Sequence, residues 1–400
     1  MNPVWPQLGF DASIVRNSVG RQNQIATAEY KKVGLFPIVD QGQSFVAGFT
    51  DDEEKVVKDG LPYIIFGDHT RSLKYVDFPF VLGADGTKVL KPEASLFDPR
   101  FFYFALLNLN IPSRGYNRHY TLLREKKLPR PEIAEQRKIV RVLTTVQRAI
   151  AQQQAIIATT RELKRSLMHK LFTEGLRGEA QKPTEFGLVP ESWEVKRIGK
   201  IATLKSGGTP SRTNETFWKD GSIPWVKTGE VDYCVINDTE EKITLAGLEG
   251  SSAKIFPAGT LLMAMYGQGI TRGKVGILGV DAATNQACVA FFPNDEVRTG
   301  FLYQLFAFKY DYIRSLGHGA NQKNLSADIL KTVQIAFPRE TDEQDEIVAS
   351  LSTLDDKLAL AERKRSHCAD LFKTLLHQLM TAQVRVHNLD LDALGVAALD

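Results

Sequence analysis

The sequence matches itself at an ungapped offset of 208 residues, and no other feature constrains the fold as strongly. Glu132, Glu135, Gln136, Ile139, Val140, Leu143, Thr145, Ala151, Leu163, Leu167, His169, Leu171 and Thr173 recur as Glu340, Glu343, Gln344, Ile347, Val348, Leu351, Thr353, Ala359, Leu371, Leu375, His377, Leu379 and Thr381. A gapless match of this length is a duplication, and repeats are read before any single element is assigned. The 400 residues, enough for two to three ordinary domains, are therefore two copies of one plan.

The repeated stretches read as long helices. Ile139, Leu143, Val146, Ile150, Ile157, Leu167 and Leu171 follow steps of about three and four, as do Ile347, Leu351, Leu354, Leu358, Phe372, Leu375 and Leu379. This is the apolar seam of a coiled coil. Pro131 suits a first turn, and Thr341 with Gln344 fits a Thr-x-x-Gln capping box. Each helix is expected to run about 35 to 40 residues, roughly 55 Å. Residues 129–173 carry nine basic and three acidic residues, whereas 337–381 carry six and nine. One basic and one acidic helix with matching seams favour pairing with each other, as an antiparallel coiled coil within one chain.

Ahead of each helix lies a segment of different character. Leu61–Asp68, Phe78–Gly86, Gly259–Gly267 and Gly273–Val280 are short apolar runs bounded by Gly, Pro and Asp, the signature of strands. Aromatic helix candidates follow at Asp98–Asn110 and Val297–Leu316, each ahead of a polar loop with Gly115 and Asn117 or Gly319 and Asn321. Residues 174–190 read as a Gly- and Pro-rich linker. The expected architecture is α+β with a pseudo-twofold internal repeat: α/β heads at 1–128 and 179–336, helical regions at 129–178 and 337–400.

Composition removes other classes. With 43% hydrophobic and 24% charged residues, the chain is neither disordered nor a disulfide scaffold. Cys234, Cys288 and Cys368 are widely spaced and form no CxxC pattern, so neither a disulfide framework nor a zinc site is expected. No apolar stretch approaches the roughly 18 residues of a membrane helix, and the first residues lack a signal-peptide pattern, so a cytoplasmic chain is expected.

No catalytic motif completes itself. Gly267 and Gly273 enclose five residues where a P-loop has four, and Val275 stands at the magnesium-binding Ser/Thr position. Glu194-Val-Lys196 is half of a nuclease signature without its second carboxylate, and such chemistry needs two carboxylates converging on a metal. His69, beside Asp68, Thr70 and Arg71, reads as a loop that packs or meets phosphate. No catalytic or metal-ligating residue is assigned, and no cofactor is expected on this chain.

The heads do carry what duplex binding requires: cations that neutralise phosphates and Arg, Lys, Asn and Gln that read base edges. The first offers Arg71, Lys74, Lys88, Arg114, Asn117, Arg118 and His119; the second offers Lys205, Arg212, Asn214, Lys219, Lys227, Gln268, Arg272, Lys274, Asn321, Gln322 and Lys323, with Trp218, Trp225 and Tyr266 interleaved.

Two diverged heads and two repeated helices together resemble the specificity subunit of type I restriction-modification systems. Leu188-Val-Pro-Glu-Ser-Trp-Glu194, Ser206-Gly-Gly-Thr-Pro-Ser-Arg212 and Ile223-Pro-Trp-Val-Lys-Thr-Gly-Glu230 are similar to the opening of that family's target recognition domain, and Gly319–Leu325 to its closing loop. Phe66–Arg71 and Gly83–Lys88 resemble a second variety, without the Gly-Gly-Thr-Pro and Pro-Trp motifs; Pro131–Val140 and Arg339–Val348 resemble the repeated regions. The resemblance implies a subunit without catalysis of its own. Each head would read one half of a bipartite, asymmetric site in double-stranded DNA, and the helices would set the spacer. Its partners would be two modification subunits, methylating adenine with S-adenosylmethionine, and motor-nuclease restriction subunits using ATP and Mg. Two rival readings are a DNA-binding enzyme with a cryptic nuclease or methyltransferase centre, and a two-headed protein-binding adaptor.

Overall fold

The structure, a computed structural model, describes residues 5–83, 86–113, 115, 117–266, 270–316 and 325–393. Both repeated stretches are helical: α1 spans Ile133–Glu174, slightly longer than expected, and α2 spans Thr341–Met380, at the upper end of the expected length. The chain divides into two compact units. One holds residues 1–155 and 361–400, the other 156–360.

In the first unit the opening turns of α1 share a core with the closing turns of α2, where Ile139, Val140 and Leu143 meet Leu376, Leu379 and Met380. In the second, the closing turns of α1 and the opening turns of α2 do so through Met168, Leu171, Phe172, Ile347 and Leu351. Opposite ends thus meet within each unit, as in an antiparallel pair. Of the seam positions, Ile139, Leu143, Ile157, Leu171, Ile347, Leu351 and Leu379 are buried; Val146, Ile150, Leu167, Leu354, Leu358, Phe372 and Leu375 are half-buried. Each fully buried Leu or Ile contributes about 1.5–3 kcal/mol. Leu163 and Leu371, an equivalent pair off the seam, are exposed.

The helix starts differ from expectation. Thr341 is already helical, and the Gln344 side chain closes no capping box. Its amide instead accepts from Arg298 N–H (2.8 Å) and donates to Glu296 O (2.8 Å) and Pro338 O (2.9 Å). Gln136 repeats this pin in the first unit, accepting from Asp98 N–H (2.8 Å) and donating to Leu96 O (2.9 Å) and Pro131 O (2.8 Å). Both glutamines are fully buried. A buried amide is retained only when its hydrogen bonds are met, so the repeated Gln is a joint between head and helix. Pro131 sits just before Glu132, whose carbonyl accepts the first helical bonds.

The expected linker is partly a β-hairpin, Gln181–Thr184 antiparallel to Gly187–Pro190, because Gly187 supplies the left-handed φ of 118° at the reversal.

Each head is closed at its base by pairing its entry strand with its exit strand, Gln7–Gly9 with Lys127–Pro129 and Glu194–Arg197 with Gln334–Phe337. Above that base the two heads share one topology. In the first head an antiparallel sheet orders its strands Ile14–Val15, Thr87–Pro92, Tyr63–Gly67, Leu73–Val76. In the second the order is Ala202–Ser206, Cys288–Pro293, Leu261–Ala264, Val275–Leu278, with Val235–Ile236 added in parallel at the edge. A smaller mixed sheet centres on Phe36–Val39 in the first head and on Ile223–Val226 in the second. The aromatic helix candidates form at Pro99–Leu107 and Thr299–Phe308, the latter followed by a separate short helix, Tyr310–Ser315. Phe101, Phe102, Phe104, Phe301 and Phe306 from these helices are buried in the two cores.

Register corrects the reading of the first head. Ile38 and Val39 pair in parallel with Val81 and Leu82, as Trp225 and Val226 pair with Ala283 and Thr284. Pro37 therefore stands where Pro224 does, and Ile38 replaces Trp225. Ile25 N–H donates to Leu82 O (3.0 Å) where Gly208 N–H donates to Thr284 O (2.8 Å). Gln24 and Ile25 thus hold the places of Gly207 and Gly208. The motif is present in position and changed in side chain.

Candidate nucleic-acid interface

In the first head the loops at the ends of Phe36–Val39 and Tyr63–Gly67 are organised by Asp68. Its buried carboxylate accepts from the backbone N–H of His119 (2.9 Å) and Tyr120 (2.8 Å), and Asp68 O lies 2.9 Å from His119 Nδ1. Lys88 Nζ stands 3.9 Å from the carboxylate and over the Tyr120 ring. His69–Ser72 turns tightly, with Thr70 Oγ1 bonded to Gln41 O and Ser72 Oγ. A Cβ on Gly67 would meet Thr70 Oγ1 at 2.1 Å, which makes glycine obligatory there. The expected Asp-His-Thr cluster is therefore a scaffold for the segment that carries Asn117 and Arg118.

These contacts correct several assignments. Lys74 is not a surface cation: it is buried, with Nζ donating to Asp40 O (2.7 Å) and Ser44 O (2.6 Å) and 3.6 Å from the Asp40 carboxylate. Burial lowers its pKa, against the opposing pull of Asp40. His119 is fully buried. Arg71, at a left-handed φ of 62°, donates from its guanidinium to Ile111 O (2.9 Å). Asn117 and Arg118 are exposed. Arg114 lies outside the described residues.

Arg118 and Lys88 line a cleft of about 610 Å³ with Asn17, Arg21, Gln24, His69 and Gly86. Arg21, Asn17 and Gln24 escaped the sequence reading, although the polar, glycine-broken run Asn17–Gln24 signals a loop of binding chemistry. The amides are held in place, Asn17 Nδ2 on Val89 O (3.2 Å) and Gln24 Nε2 on Gly83 O (2.9 Å).

The second head is dressed differently. Arg212 lies 3.7 Å from the centroid of Trp218 and 4.9 Å from that of Trp225, and donates to Glu241 (2.7 Å). The hydrogen bond from Arg212 lowers the Glu241 pKa. Both indoles are fixed, Trp218 Nε1 on Ser211 O (3.0 Å) and Trp225 Nε1 on Gly208 O (3.0 Å). A Cβ on Gly207 would meet Thr284 O at 2.1 Å, and one on Gly208 the Ser252 carbonyl carbon at 2.4 Å. The Ser206-Gly-Gly-Thr-Pro motif is thereby explained by close approach of backbone.

Lys219 is exposed. Lys227 pairs with Glu240 (2.7 Å), whose hydrogen bond raises the lysine pKa. Lys205 lies over the Phe292 ring, and Asn214 caps the Glu215–Phe217 turn. Arg272 and Lys274, expected among the cations of the binding surface, are not presented there: Arg272 is buried, and Lys274 is bound to Asp232 at 2.6 Å with its side chain 12% exposed. Gln268, Asn321, Gln322 and Lys323 lie outside the described residues.

Glu194 and Lys196, the half nuclease signature, form an ion pair with Arg339 and Glu296 as neighbours. Among the described residues no group of three or more His, Cys, Asp and Glu side chains could hold a metal ion, and no helix is long and apolar enough to cross a membrane.

Comparison with known proteins meets this arrangement from outside. Residues 190–367 match the type I restriction modification DNA specificity domain. The MjaIX specificity subunit of Methanocaldococcus jannaschii is 32% identical over 215 residues, 52% of this chain and 47% of that one, so the match spans about half of either protein. The EcoR124I/EcoR124II specificity subunit of Escherichia coli is 23% identical over 83% of this chain and 82% of its own. A type I restriction-modification S subunit from M. genitalium has the same fold, with a TM-score of 0.67 over 95% of this chain and 97% of that one at 16% identity. Two heads of one topology, each joined to a repeated helix by a buried glutamine, and these likenesses lead to one conclusion: residues 190–367 carry the type I restriction modification DNA specificity domain, and the chain as a whole is similar to the specificity subunits of type I restriction-modification systems.

Proposed function

We propose that the chain reads a bipartite, asymmetric sequence in duplex DNA, one half with each head, as the recognition subunit of a type I restriction-modification complex. One observation carries this reading. The heads keep the same strand register and the same glutamine joint while their loops present different polar groups, which suits one task performed on two targets. Phosphate contacts would supply affinity and base contacts the choice of sequence.

In this reading the chain does no chemistry. Modification subunits, two per complex, would bring S-adenosylmethionine and methylate adenine; restriction subunits would bring ATP and Mg. The complex would act in the cytoplasm. The basic first helix, α1, and the exposed apolar positions Leu163 and Leu371 are the surfaces we assign to docking. The helices would act as the spacer between half-sites. At 1.5 Å per residue a heptad is about 10 Å, close to the rise of about three base pairs.

Exchange of residues 1–128 for those of a relative, expressed with the modification partner and followed by sequencing of methylated adenines, tests the proposal. One half of the recognised sequence should change while the other persists. Cutting or methylation of DNA by the purified chain alone, with Mg and S-adenosylmethionine, would instead establish a catalytic centre within it.

A further inference from the structure

The cations of the first head divide by whether the fold has already spent them. Lys74 is consumed by carbonyls and Asp40, Arg71 by Ile111 O, Arg100 by Asp77 and Arg124 by Asp11. Lys88 is turned toward the buried Asp68. Arg21 and Arg118 are different. Both are exposed, both line the cleft of about 610 Å³, and neither guanidinium has a hydrogen-bonding or ionic partner among the described residues. Asp68 is the cleft's only lining carboxylate among the described residues, and it is committed to Lys88 and two backbone N–H groups. The cavity is therefore net positive, with the fixed amides of Asn17 and Gln24 beside the free cations.

We propose that Arg21 and Arg118 are the groups through which the first head grips its DNA half-site, in this cleft. This rests on the DNA-reading function proposed above and assigns its place in one head. The chemistry follows from the side chains. A guanidinium presents a planar fork of donors that fits phosphate oxygens or the O6 and N7 of guanine, and an unpaired one need give up no internal ion pair to do so. Asp68 is a positioning residue: it ties the backbone at His119 and Tyr120 to the turn beneath the cleft and so places Arg118. Gly86 adopts a left-handed φ of 84°, a conformation that favours glycine.

The test uses the full chain and duplexes selected by it from a random-sequence pool, with fluorescence anisotropy read between about 50 and 200 mM salt. Arg21→Ala and Arg118→Ala should each weaken binding by roughly 5- to 100-fold, and each should lower the slope of log affinity against log salt by about one. Lys32→Ala serves as the control, since Lys32 is an exposed cation outside the cleft lining. It should leave the affinity within about twofold and the slope unchanged if the cleft is the site. Both arginines are exposed, so unchanged circular dichroism and melting temperature are expected. If the double variant keeps wild-type affinity and slope, or if Lys32→Ala costs as much, the assignment is overturned while DNA binding stands. If the wild-type chain shows no salt-dependent binding, the parent reading falls as well.

Discussion

The two heads share a frame and differ in what the frame holds. Pro37-Ile38-Val39 and Pro224-Trp225-Val226 sit in the same register, yet the Trp225 indole reaches Gly208 O and meets Trp218 edge to face beneath Arg212, whereas Ile38 is plain core. After these strands the first head has Asp40 facing the buried Lys74, and the second has Lys227 facing Glu240, with the carboxylate and ammonium exchanged. The first head forms a cationic cleft; the second fixes an arginine against two indoles. Backbone pairing tolerates these exchanges because strand register depends on buried apolar faces, and the loop chemistry is left free to diverge.

If the frame is common, damage to the frame should cost the two units alike. Gln136→Ala and Gln344→Ala each remove three hydrogen bonds of a fully buried side chain, one from a backbone N–H and two to backbone carbonyls. Each should destabilise its unit by about 3 kcal/mol or more, and urea unfolding followed by circular dichroism should show two losses of similar size. A cost confined to one variant would break the equivalence.

Where the dressing differs, the costs should differ. Gly207→Ala drives a Cβ onto Thr284 O and should cost roughly 2–3 kcal/mol. The matching Gln24 already carries a side chain, and Gln24→Ala should cost about 1 kcal/mol or less through the lost bond to Gly83 O.

A smaller asymmetry lies at the helix ends. Arg385 makes a two-bond contact with the buried Glu135 (2.8 and 3.1 Å) and lies over Trp5, whereas its counterpart Arg177 stands 3.6 Å from the buried Glu343. Arg385→Ala should cost about 2 kcal/mol and Arg177→Ala about 1 kcal/mol or less. Burial alone would raise the Glu135 pKa; the hydrogen bonds from Arg385 and Val386 N–H, with the nearby positive charge, outweigh it and bring the net shift downward. A carboxylate with a depressed folded pKa adds stability that is present above its unfolded value, about 4.3, and is lost as pH falls through the folded value. Acid titration of the wild type should show this loss below about pH 4.3, and Glu135→Gln should flatten it. Least of all, Lys31→Ala removes an exposed pair with Asp51 and should leave the urea midpoint unchanged, because solvent screens such a pair.

The repeat, the seam and the strand positions were legible because they are written in apolar spacing, which packing preserves. Ile139 and Leu351 had to be buried whatever surrounded them. The glutamine joint was visible as a repeated Gln and misread as a helix cap, because its partners, Arg298 and Pro338, become neighbours only through the fold. Lys74 and Arg272 were read as surface cations since nothing local announces that carbonyls or neighbouring chain will enclose them. Arg21 went unnoticed because an exposed arginine in a loop looks the same in sequence whether it solubilises or binds. The Pro37 equivalence was hidden by one substitution, Ile for Trp, and only strand pairing exposed it.

The central claim is that one frame carries two independent readers. Its most direct measurement is the methylated sequence produced when residues 1–128 are exchanged and 129–400 are kept. The account predicts that one half of the bipartite site changes while the other half and the spacer remain. A change in both halves, or in neither, would contradict it.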